Sequence, residues 1–172
     1  LLDIQSPRAK RYVQKLIQEK GFEKVVIADG VEVLVPAPEV NLLLLSSHIL
    51  KHAFGVGIGL RQFCDYAVAR RYYEGRVNEE EMREIWRMTG LEKWQDLLEG
   101  FLVKKTGVLL DIVLKGGNFG VYSKDRENVP RARWARKVQT FKALMGNIGF
   151  AFRYAPGEWF WTTMQLLGGQ FR

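Results

Sequence analysis

His48 and His52 lie four residues apart, so on a helix both imidazoles leave the same side. Two rings so spaced could grip a metal such as zinc, with Asp65 as a third ligand. The glutamate of a metalloprotease helix is missing, because isoleucine follows His48. The same residues could instead be boundary histidines, hydrogen-bonded to the backbone or to Asp65. A hydrogen-bonded His48, His52 and Asp65 cluster without metal is the reading adopted here. Arg61 and Asp65 repeat the four-residue spacing. They suit an ordinary helical ion pair, or a carboxylate that orients Arg61 toward an anion.

Between the two pairs runs Gly55-Val56-Gly57-Ile58-Gly59. It shares the composition of a phosphate loop, but a helix precedes it and no Lys-Ser/Thr follows. It is either a tight helix–helix turn or a place where backbone N–H groups at the next helix start hold phosphate. Cys64 is expected on the apolar face of that helix, as a small buried hydrophobe. The chain has no Ser-His-Asp pattern, C-x-x-C or Walker motif.

Two further stretches carry chemical side chains. Lys115-Gly116-Gly117-Asn118-Phe119-Gly120 suits either a ligand loop or a plain helix terminator. Residues 121–153 hold +6 of the net charge of +7. Such asymmetry can mark a polyanion such as RNA. On a helical wheel the basic residues scatter around the axis, which also fits a solvated face.

These residues need a scaffold, and the composition allows one. The chain has 172 residues and 47% apolar content, enough for a sizeable core in one domain or slightly more. One cysteine permits no internal disulfide, which fits the cytoplasm. No apolar run approaches the roughly 20 residues of a membrane span. No signal peptide is visible, and the start at Leu1 leads us to expect natural sequence upstream.

Ser6-Pro7 starts a helix that Gly21 ends. Lys24–Ala28 and Val31–Val35 read as strands joined by Asp29-Gly30. Pro36 and Pro38 close this hairpin unit, residues 1–38. Residues 39–172 read as a helical domain. Its first helix carries a broad apolar face, with both histidines at the edge. A second helix begins near Gly59, with Leu60, Phe63, Cys64 and Ala67 inward. Further helices are expected at Asn78–Thr89 and Leu91–Lys105. A short apolar segment spans Val108–Leu114, with helix favoured. A long helix from Asn128 carries Trp134, Val138, Phe141, Leu144, Met145, Ile148 and Phe152 as its stripe. An aromatic segment opens at Pro156, with Trp159-Phe160-Trp161 expected in the core. The class is α+β, predominantly helical: a small hairpin followed by an orthogonal helical bundle.

His48 and His52, then Gly57-Ile58-Gly59-Leu60-Arg61-Gln62 and Cys64-Asp65, resemble a bacterial family of uncharacterised nucleotidyltransferases. The later loop, Leu114-Lys115-Gly116-Gly117-Asn118-Phe119-Gly120, resembles a second motif of that family, and the resemblance covers about residues 7–155. It implies a nucleotidyltransferase fold with a helical C-terminal region. It also implies transfer of a nucleotidyl group from a nucleoside triphosphate to an acceptor, with magnesium held by carboxylates. This chain lacks the family's D-x-D-type pair. The expectation is therefore a helical portion, inactive by itself, whose catalytic half lies upstream, or else a degenerate relative. Asp3 would then be the remaining metal carboxylate. Lys51, Gly57, Gly59, Arg61, Lys115, Gly116, Gly117 and Asn118 would face phosphate. Two other classes stay open: a non-catalytic polyanion- or RNA-binding module, and a metal enzyme built on the histidines.

Overall fold

The computed structural model describes residues 4–54, 59–104 and 148–168, together with Val138, Lys142, Met145 and Gly146. Helix α1 (Pro7–Lys20) begins where the sequence says it should. The Ser6 hydroxyl accepts from the Ala9 N–H at 3.4 Å, and Pro7 opens the first turn. The Gly21 N–H closes the helix on the Ile17 carbonyl.

Strands β1 (Phe22–Val26) and β2 (Glu32–Pro36) pair antiparallel, with Phe22 opposite Pro36 and Val26 opposite Glu32. Asp29 and Gly30 both take positive φ, 63° and 74°, as the Asp-Gly signal requires. The ladder starts earlier than the β-branched runs suggested. The Ile27 N–H donates to the Val31 carbonyl at 2.9 Å, so Ala28, Asp29 and Gly30 form a three-residue loop. Val25, Val33 and Val35 are half-buried, while Phe22, Val26 and Leu34 on the other face are exposed.

The helices that follow are α2 (Pro38–Phe54), α3 (Leu60–Tyr72), α4 (Glu79–Thr89), α5 (Glu92–Lys104), α6 (Ile148–Tyr154) and α7 (Pro156–Gly168). Helix α4 shows strong end signals. The Asn78 side chain accepts from the Glu80 and Glu81 N–H groups at 2.9 and 3.2 Å. Three glutamates fill its first turn, where the helix dipole favours negative charge. Gly90 ends it in the left-handed region at φ 73°.

Helix α2 is the centre of the bundle. Helices α1, α3 and α5 and strand β2 all pack against it. Helix α1 also lies on α4, α4 on α5, α5 on α6, and α6 on α7. The core is continuous from Ile4 to Ala155, with Leu42, Leu43, Ile49, Tyr66, Trp94 and Leu98 fully enclosed. The fold is α+β and predominantly helical, a small hairpin followed by a helical bundle, as expected. Among the described residues no helix is long and apolar enough to cross a membrane.

Polar ties cross between elements. Lys20 reaches Glu81 at 2.7 Å and the buried Glu39 at 3.7 Å, joining α1 to α4 and α2. The hydrogen bond that its ammonium donates to Glu81 holds Lys20 above its ordinary pKa. Arg76 pairs with Glu23 at 2.9 Å, tying the hairpin to the α3–α4 turn. The Glu158 carboxylate accepts from the Gln5 and Ser6 N–H groups at 2.5 and 3.0 Å, fastening the start of α1 to α7. Burial raises its pKa, and the two backbone donors oppose that rise.

Among the described residues, the apolar stripe expected at the C-terminal end is not the buried face. Val138, Ile148 and Phe152 are exposed, Phe152 by 60%. Helix α6 instead meets the core through Ala151, and the Phe150 ring stands edge-on to Trp94 at 6.1 Å. Only Trp159 of the aromatic trio packs against the core. Phe160 and Trp161 face outward.

Candidate functional site

The end of α2 and the start of α3 bring the candidate residues together. Helix α2 is apolar on most of its circumference because so many elements cover it. Leu42, Leu43, Ile49, Leu50, Ala53 and Phe54 are all buried. The remaining side carries His48 and Lys51, both exposed, and the half-buried His52. The wheel placed the histidines at this edge, and they are there. Their Nε2 atoms lie 3.2 Å apart, with ring centroids 4.6 Å apart and planes crossed at 78°.

Gly59 caps α3 in extended conformation (φ −85°, ψ 148°). The Gln62 side chain reaches back and accepts from the Gly59 N–H at 2.5 Å, which is one half of a capping box. This role was legible as a glutamine three residues after the cap, and the motif reading passed over it. The next side chain after Leu60 is Arg61, which is 92% exposed. Its Nε lies 3.9 Å from an Asp65 carboxylate oxygen, a long and exposed pair. Such a pair contributes about 0–1 kcal/mol and leaves the guanidinium accessible to a ligand.

Cys64 departs from expectation, for it is exposed. Helix α3 turns Phe63 and Tyr66 into the core instead, and Tyr73 at its C-cap is also buried, because the bulky rings fill the space against α2 and α5. The Phe63 ring meets Phe101 of α5 tilted by 44°, with centroids 4.6 Å apart.

A buried polar network that the residue types did not single out joins α2, α3 and α5. The Ser46 hydroxyl donates to the Gln95 carbonyl oxygen at 3.0 Å. The Gln95 amide donates to the Tyr66 hydroxyl and to Glu99 at 2.8 Å. The Trp94 indole N–H donates to Ser46 at its hydroxyl (3.0 Å) and its carbonyl (3.1 Å). Arg70 bridges Glu99 and Glu79, and its hydrogen bond with Glu79 raises its pKa. Burial pushes the Tyr66 phenol well above its ordinary pKa, so it stays protonated. The available signal was faint: a serine inside the Leu42–Ile49 apolar run, and a glutamine beside a tryptophan.

Asp3, Gly57, Lys115, Gly116, Gly117, Asn118 and most of the basic segment lie outside the described residues. Of that segment, Lys142 and Arg153 are described, and both are exposed. Among the described residues no three His, Cys, Asp or Glu side chains converge to hold a metal ion. The described residues thus present no three-ligand cluster of the kind that would hold the magnesium of a nucleotidyltransferase.

Residues 1–98, more than half of the chain, match the family described as uncharacterised nucleotidyltransferase. The chain belongs to this family. No curated protein and no solved structure matches it. The nucleotidyltransferase match spans the hairpin, both histidines, the Gly59–Asp65 segment and the start of α5. It stops before the glycine loop at 114–120.

Proposed function

We propose that this chain is the helical portion of a nucleotidyltransferase and shapes the acceptor side of its cleft. Residues 1–38 would be the residual hairpin part of a nucleotidyltransferase-like domain, and residues 39–172 a helical domain. The transfer would pass a nucleotidyl group from a nucleoside triphosphate to an acceptor, with magnesium supplied through carboxylates other than those described. Asp3 is the candidate for one of them. By itself the chain is not expected to catalyse transfer.

The observation that carries this reading is Arg61, an exposed guanidinium on the first turn of α3, inside the family match. A cation there, beside the positive end of a helix, suits a phosphate. Lys51, Gly57 and Gly59 would line the same phosphate side, and the 115–118 loop would face it. His48, His52 and Asp65 would hold the turn between the helices.

Arg61→Ala in the intact protein should weaken binding of magnesium–nucleoside triphosphate. Unchanged nucleotide and acceptor binding would remove Arg61 from this role. The concentration of positive charge in residues 121–153 supports a second reading, a non-catalytic RNA- or polyanion-binding module. That module would bind with steep salt dependence, and affinity indifferent to salt would exclude it.

A further inference from the structure

We propose that His48 and His52 form a chelating site for a borderline divalent transition ion such as zinc or nickel. This site is distinct from any magnesium used in nucleotidyl transfer. Their Nε2 atoms are 3.2 Å apart. A tetrahedral ion with metal–nitrogen bonds of about 2.0–2.1 Å needs two ligand nitrogens about 3.3 Å apart. The pair already spans such an edge, with both rings carried on consecutive turns of one helix. Neutral imidazole favours zinc, copper and nickel, whereas magnesium selects oxygen ligands.

His48 is exposed and His52 half-buried, so an ion can arrive from solvent and keep water on its open positions. Binding needs both Nε2 lone pairs. Each ring would then carry its proton on Nδ1, and the contact between the two nitrogens would give way to two metal bonds. The ion would clip together the last turns of α2, just before residues 55–58.

The test is zinc chloride alone, titrated into the untagged chain carrying Cys64→Ser, which removes the exposed thiol. The chain has 2 histidines, so every imidazole signal in a nitrogen NMR spectrum belongs to this pair. Both rings should shift together and saturate at a single equivalent of zinc, and magnesium should move neither. His48→Ala and His52→Ala should each weaken binding by more than ~10-fold, because losing even a group that only supports a ligand costs that much. Zinc that shifts neither ring, or only one, overturns the proposal, as does an affinity that survives both substitutions. Should an alanine variant lose its fold by circular dichroism, the ring signals of the Cys64→Ser chain with both histidines decide alone. The outcome is independent of the transferase reading, which rests on Arg61.

Discussion

Helices α2 and α3 present two unlike sides, and both sides are polar. The outer side carries His48, Lys51, His52, Arg61 and Asp65, close to water. The inner side carries Ser46 and Tyr66, which meet Gln95 and Trp94 of α5 in full burial. The residue types alone single out the outer set as chemical. Burial assigns the inner set to fastening three helices, because buried polar groups are costly unless each finds a partner. Of the outer set, Arg61 makes only a long, exposed ion pair, which adds little to the fold.

The comparison breaks most clearly at Trp94. Trp94→Ala removes a fully buried indole, its bonds to Ser46 and its contact with Phe150. A loss of about 3–5 kcal/mol is expected, read by urea unfolding. Gln95→Leu keeps most of the volume but strands the Tyr66 hydroxyl and takes the acceptor from the Ser46 O–H, at about 1–3 kcal/mol by the same measurement. A near-neutral result would mean that the network adds nothing to packing.

Asn78→Ala removes the cap of α4 and should cost ~1 kcal/mol, visible as a lower melting temperature. Arg61→Ala should stay within about 0.5 kcal/mol of wild type in stability while nucleotide binding falls. A large stability loss there would place Arg61 with the inner set.

The smallest expected effect is a pH dependence at Glu158. Its carboxyl pKa is raised above the usual value in the folded chain by burial. Its titration therefore favours folding as pH falls through the folded pKa toward the unfolded one, and is flat below that. Glu158→Gln removes this dependence and leaves one of the two backbone donors facing an amide NH2. The stability gap between wild type and variant should widen in wild type's favour on acidification through this window. A gap that stays level from neutral pH down to the ordinary carboxylate range would show that the pKa is unshifted.

Much of the fold was legible in the chain itself. Ser6-Pro7, Asp29-Gly30, Asn78 and Gly90 each mark an end or a turn, and each does so in the structure. The edge position of His48 and His52 also followed from spacing. The rotation of α3 did not. Leu60, Phe63, Cys64 and Ala67 make a credible apolar face, yet α3 buries Phe63 and Tyr66 and exposes Cys64. The same holds for α6, where Ala151 takes the buried place and Phe152 the exposed one.

Caps, turns and helix periods depend on residues within a turn of one another, so the sequence by itself determined where the capped helices and the hairpin turn lie. Which face of a helix is buried depends on the shape of neighbours distant in the chain. Tyr66 is inward because Gln95, 29 residues on, offers its phenol a partner. Glu158 is buried because two N–H groups at the other end of the chain receive it. Those choices belong to the tertiary structure, because packing density and hydrogen-bond satisfaction are properties of the assembled core.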